Sequence, residues 1–187
     1  MSRRLTALAH ALAKEILSPG DRAVDATAGN GNDTLFLAEC VGADGKVWAF
    51  DVQAAALTAT HARLAAAGCA ERVELVHAGH ETLATHLPAE EKGRLAAVFF
   101  NLGYLPHGDH GLITRGETTL AALRMLTDWI RPGGHLSLLV YPGHPGGAVE
   151  AQMVRKWIAE ENVQWAFSFH GEPEQNERPW LAVGRCI

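Results

Sequence analysis

Val24-Asp25-Ala26-Thr27-Ala28-Gly29-Asn30-Gly31-Asn32-Asp33-Thr34 is the stretch whose reading decides the fold. Arg22–Ala26 reads as a short buried strand, the Gly/Asn-rich run after it as a turn, and Thr34–Cys40 as a helix. Glycine lets the backbone approach a ligand closely, and a helix N-terminus offers unpaired N–H groups. Strand, glycine turn and helix in this order therefore predict a seat for an anionic or nucleotide-like group.

Outward from this unit, the same alternation repeats. Upstream, Leu5, Leu8, Ala9, Leu12 and Ile16 recur at helical spacing, predicting an amphipathic helix over 3–17 that Ser18-Pro19-Gly20 stops. Downstream, Lys46–Asp51 reads as a second strand, and Ala54–Ala67 as an Ala-rich helix closed by Gly68. A third strand over Arg72–His77, a short helix over Glu81–His86 and a fourth strand over Leu95–Asn101 follow. The run Leu95-Ala-Ala-Val-Phe-Phe100 suits a strand buried on both faces. Thr118–Ile130 reads as a helix ended by Arg131-Pro132-Gly133-Gly134, His135–Tyr141 as the fifth strand and Val149–Glu160 as a further helix. Gln164–His170 and Trp180–Arg185 are strands with no helix between them, the form of an antiparallel hairpin at a sheet edge. The pattern predicts a doubly wound, Rossmann-like α/β sheet of seven strands with an antiparallel C-terminal hairpin. It occupies one domain over 1–187, without internal repeats or low-complexity linkers.

Composition narrows the function classes. With 187 residues, 48% hydrophobic and 20% charged, the chain has the make-up of one soluble globular domain. It contains no run of about 18 apolar residues that could span a bilayer, and its N-terminus lacks the features of a signal peptide, so a cytoplasmic location is expected. Cys40, Cys69 and Cys186 are odd in number and far apart, which excludes a disulfide framework or zinc knuckle. The net charge is −5, from 16 Lys plus Arg against 21 Asp plus Glu, so a nucleic-acid substrate would have to be held by a local patch, a partner subunit or shape.

The second chemical feature is Asp51, 20 positions after Gly31 at the end of the second strand, where a carboxylate can hydrogen-bond both hydroxyls of a ribose. Two cofactor readings compete. A dinucleotide turn supplies a third glycine for close packing around a pyrophosphate, and here Thr34 stands in its place. That departure, with Asp25 before the turn, favours S-adenosylmethionine, whose amino-acid tail rather than a diphosphate would occupy the loop. Seven strands ending in a hairpin resemble the class I methyltransferase fold, which implies the same cofactor. On this reading Asn30 and Asn32 offer amide groups to the methionine carboxylate and ammonium, Asp51 holds the ribose, and Gln53 reaches the ribose or adenine edge. Gly79 and His80 follow the third strand, where class I enzymes carry a polar residue facing adenine. Asp25 orients the loop or contacts the cofactor amine through it. The bland alternatives stand beside these roles: Asn30 and Asn32 as ordinary turn residues, His80 as a surface-loop histidine.

Asn101-Leu102-Gly103-Tyr104-Leu105-Pro106 closes the fourth strand, where the reactive methyl group of such a cofactor should point. Amino-group methyltransferases carry there an Asn or Asp, two prolines and an aromatic; Asn101 and Tyr104 keep the ends, while Leu102 and Gly103 replace the prolines. Together with Tyr141-Pro-Gly-His-Pro-Gly-Gly147 and Glu150, and with Asn176 and Pro179 in the final hairpin, these blocks resemble a bacterial family once described as rRNA methylases and later associated with methylation of tRNA 5-aminomethyl-2-thiouridine. The resemblance runs from about His10 to Trp180. It implies transfer of methyl from S-adenosylmethionine to the primary amine at the wobble position, with tRNA, through its anticodon arm, as partner. Asn101 and Tyr104 would position the amine, and His144 would accept a proton or contact phosphate, unless the Tyr141–Gly147 run is merely a turn that closes the sheet. Methylation of ribosomal RNA or of a small-molecule amine, and a non-catalytic cofactor-binding subunit, are the alternatives. His107, Asp109 and His110 invite a metal reading, but methyl transfer needs no metal and none is expected. A homodimer would enlarge the surface available to an anticodon arm, although the sequence marks no interface.

Overall fold

Side chains along the strands divide with period two between two apolar layers, and this division sets the architecture. The computed structural model describes residues 2–103, 113–160, 164–174 and 177–187. In chain order the elements are α1 (Ser2–Lys14), β1 (Arg22–Asp25), α2 (Asn32–Val41), β2 (Lys46–Asp51), α3 (Ala54–Ala66), β3 (Val73–His77), α4 (Leu83–His86), β4 (Leu95–Leu102), α5 (Gly116–Leu126), β5 (Ile130–Val140), α6 (Gly147–Glu160), β6 (Trp165–His170) and β7 (Trp180–Cys186). The seven strands stand in the order β3-β2-β1-β4-β5-β7-β6. The first five are parallel, and β7 lies antiparallel between β5 and β6. The expected C-terminal hairpin is present at the sheet edge, with β7 as its inner strand.

Ala23, Val47, Ala97 and Phe99 face one side, where they meet Leu5, Ala9 and Ala13 of α1, Leu37 of α2 and Leu64 of α3. Val24, Trp48, Phe50, Val98 and Phe100 face the other, against Leu83 of α4, Leu123 and Leu126 of α5, and Val154 and Trp157 of α6. Each large side chain so buried contributes roughly 1.5–3 kcal/mol, which explains why the central strand β4 is apolar almost without interruption. The fully buried residues of the first helical region are Leu5, Ala9, Ala13 and Leu17, so the stripe is rotated from the expected one and leaves Leu8, Leu12 and Ile16 half-buried. Among the described residues no helix is long and apolar enough to cross a membrane.

Several boundaries differ from the sequence expectation, and helix α1 already stops at Lys14 rather than at residue 17. Helix α2 begins at Asn32 rather than Thr34, because Gly31 takes the left-handed conformation (φ 75°) that precedes its first turn. Helix α6 likewise begins at Gly147, two residues early. The larger change lies between α5 and β5. The helix stops at Leu126, and β5 starts at Ile130, taking in Arg131-Pro132-Gly133-Gly134, where the sequence pattern predicts a helix stop. Leu95 pairs with Ile130 but Ala97 pairs with His135, so the intervening residues bulge out of the ladder. A bulge is where a proline without an N–H and a glycine at φ 73° cost the sheet little.

Strand β1 sits between β2 and β4, so the chain winds away from it in both directions. The crevice at the carboxyl ends of these strands is the switch point at which open α/β sheets bind ligands.

Candidate active site

A cavity of about 1110 Å³ opens there, walled by the loops after β1 to β5 and by one face of α1. Pockets for one small ligand span roughly 300–1,000 Å³, so this space stands at the top of that range.

The loop after β1 is pinned from several sides. The Ala28 N–H donates to the Phe50 carbonyl at 2.8 Å, the Thr60 hydroxyl to the Gly29 carbonyl at 3.1 Å, and the Arg63 guanidinium to the Asn30 carbonyl at 2.7 Å. Gly31 is required twice over: its φ is positive, and a Cβ there would lie 2.8 Å from the Thr60 backbone. Asn30 and Asn32 both line the cavity.

Asp25 does not. It is fully buried beneath the loop, where its carboxylate accepts hydrogen bonds from the Thr27 N–H (3.1 Å) and the Thr34 hydroxyl (2.6 Å). Of the two roles open to it in the sequence, this geometry provides loop orientation and no direct ligand contact. Burial, reinforced by the nearby Asp33 carboxylate, pushes its pKa up from 3.8 to about 7. A folded-state pKa above the unfolded one means that the folded chain holds the proton more tightly. The resulting stability is complete below about pH 4 and is lost as pH rises through about 7. Asp25→Asn, neutral at every pH, should therefore gain stability relative to the wild type as pH rises from about 4 to about 7, with a constant difference above that. Denaturant unfolding of both proteins measures this; a difference that does not change with pH would contradict the assignment.

Asp51 closes β2 with one carboxylate oxygen accepting from the Gly29 N–H (2.9 Å) and the other from the Gln53 N–H (2.8 Å). These bonds fix the carboxylate at the cavity wall, and each oxygen retains a lone pair for a vicinal diol. Gln53, Gly79 and His80 line the same end. His80 is buried rather than a surface-loop residue: Nδ1 lies 3.3 Å from the Ala26 carbonyl, and the ring stands edge-on to Phe100. A carbonyl only accepts, so Nδ1 carries the proton in this pair; burial lowers the pKa of the ring and favours its neutral form.

Asn101 lines the cavity at the end of β4. Its N–H donates to the Thr27 hydroxyl oxygen (2.8 Å), and its side-chain amide donates to Asp33 (2.5 Å). Farther out, His144 and Tyr141 line the wall after β5, with the His144 Nδ1 3.0 Å from the Pro145 carbonyl. The buried Glu150 carboxylate accepts from the Thr114 (2.6 Å) and Thr119 (2.7 Å) hydroxyls, tethering the Thr114–Arg115 rim to α6. Tyr104, the metal candidates His107, Asp109 and His110, and Asn176 lie outside the described residues. Among the described residues no cluster of His, Cys, Asp and Glu could hold a metal ion.

Sequence reasoning assigned no site role to Arg3, Thr6 and His10 of α1, to Asp33, or to the Thr114–Arg115 rim, all of which line the cavity. A signal for the first group exists: residues 3, 6, 7 and 10 recur at helical spacing on a face other than the apolar stripe.

Residues 47–183 match the model of the family described as "Putative rRNA methylase". Over 160 residues the chain is 40% identical to the "tRNA (mnm(5)s(2)U34)-methyltransferase, chloroplastic" of Arabidopsis thaliana, a match covering 81% of this chain. The chain spans 58% of the length of that curated relative. Among solved structures, a "putative rRNA-methylase" from Clostridium thermocellum superposes with a TM-score of 0.90 at 34% identity, over 97% of each chain. A "putative methyltransferase" from Streptococcus mutans, solved in complex with SAH, does so with a TM-score of 0.85 at 32% identity, again over 97% of each. With a family match across most of its length, and with this strand order, the chain belongs to the "Putative rRNA methylase" family and is a class I S-adenosylmethionine-dependent methyltransferase.

Proposed function

We propose that this chain transfers a methyl group from S-adenosylmethionine to the primary amine of a 5-aminomethyl-2-thiouridine at the tRNA wobble position, in the cytoplasm. The observation that carries the reading is one continuous cavity lined by Asp51, the glycine loop and Asn101 together. The substrate class follows the Arabidopsis relative.

The residues present fit the cofactor. Asp51 offers two fixed acceptors to the ribose hydroxyls, and Gly31, packed against Thr60 with no room for a Cβ, fixes the shape of the loop whose Gly29, Asn30 and Asn32 border the cavity. Asn30 and Asn32 serve the amino-acid tail, Gln53, Gly79 and His80 border the adenosine end, and Asp25 holds the loop from below. When bound, S-adenosylmethionine supplies a methyl group on a sulfonium, open to in-line attack by a neutral amine. The protein's work is alignment and loss of the amine's proton. Asn101 and Tyr104 position the amine, and His144 receives a proton or meets a flanking phosphate.

Incubation with labelled S-adenosylmethionine and tRNA tests the substrate. Label should enter tRNA that carries the aminomethyl group and not tRNA that lacks it. Label in ribosomal RNA instead would overturn the assignment.

A further inference from the structure

Asn101 is held at both ends of its residue, and the tether on its side chain leads to two groups with no assigned role. Its Nδ2 donates to Asp33 Oδ2, and Asp33 Oδ1 lies 2.5 Å from His10 Nε2. The His10 ring stacks flat on Phe36, with centroids 3.9 Å apart and planes 3° from parallel. Phe36 and Asp33 are one turn apart on α2, so α2 grips the imidazole by its face and its nitrogen together. His10, Asp33 and Asn101 all border the cavity.

A carboxamide can present either its oxygen or its NH2, and a flip between them exchanges acceptor for donor at nearly constant shape. An ionised carboxylate only accepts, so Asp33 selects the orientation that sends NH2 inward. The Asn101 Oδ1 then accepts no hydrogen bond from any described residue and is left for a donor in the cavity. An acceptor is what an amine approaching a methyl group requires, since one N–H can be held while the lone pair points at carbon. We propose that Asp33 and His10 are a positioning pair that locks the Asn101 carboxamide with its oxygen toward the acceptor amine. The inference rests on the transfer reaction proposed above and extends it to α1, which approaches the site from outside the glycine-loop unit.

Single-turnover transfer to aminomethylated tRNA tests the catalytic consequence. Asp33→Ala should slow transfer by about 10–100-fold, and His10→Phe, which retains the stack on Phe36, by about 3–10-fold. Affinity for S-adenosylmethionine should stay within about twofold in His10→Phe. In the Asn101→Ala background, Asp33→Ala should add no further loss; additive losses would overturn the proposal, since a structural role does not depend on Asn101. A second measurement needs no substrate. In protein labelled with 15N-asparagine, the side-chain NH2 signals that disappear in Asn101→Ala should be displaced in both Asp33→Ala and His10→Phe. Signals unmoved by Asp33→Ala would overturn the proposal. If the wild type labels no tRNA, the substrate reading falls while the NMR result still decides the orientation.

Discussion

Asp51→Ala is expected to abolish measurable binding of S-adenosylmethionine in a calorimetric titration. Each hydrogen bond from a ribose hydroxyl to a carboxylate is worth about 1.5–3 kcal/mol. Losing two costs roughly 3–6 kcal/mol, on the order of 10²–10⁴ in Kd. The substitution also removes the acceptors that anchor the Gly29 and Gln53 N–H groups, so the glycine loop and the start of α3 lose their common tie. Asp51→Asn keeps one acceptor oxygen and should fall between the two. Unchanged affinity in Asp51→Ala would remove the ribose role altogether.

The second large effect is on turnover. Asn101→Ala should lower kcat by about 10²–10³ while changing affinity for S-adenosylmethionine less than about threefold, because the lost contact acts on the acceptor amine. The backbone N–H of residue 101 still reaches the Thr27 hydroxyl in the variant, so the loop crossing between β1 and β4 is preserved. Equal losses in turnover and cofactor affinity would make Asn101 a structural residue.

How much of this was legible in the sequence depends on how local each feature is. The strand, glycine turn and spaced acid from Val24 to Asp51 are set by neighbouring residues, so their chemistry could be read directly. The sheet was equally accessible, because the alternation of Ala97 and Phe99 with Val98 and Phe100 is a property of the strand itself. Arg131-Pro132-Gly133-Gly134 misled for a physical reason. Proline and glycine break a helix, but the same residues fit a bulge once β4 supplies a partner strand. Asp33 illustrates the opposite limit. It stands inside the decisive stretch, yet its partners His10 and Asn101 lie 23 and 68 residues away, and only the folded chain brings them together. His10 was masked by the apolar stripe of its own helix, which explains α1 as packing and leaves its polar face unaccounted for.

The proposed reaction joins a cofactor site built from Asp51 and the glycine loop to an acceptor class carried by the Arabidopsis relative. Mass spectrometry of wobble uridines from cells with and without the gene tests that junction most directly. Cells lacking the gene should accumulate the aminomethyl nucleoside and lose its methylated product, and restoring the gene should reverse both. An unchanged ratio of the two nucleosides would contradict the proposed reaction.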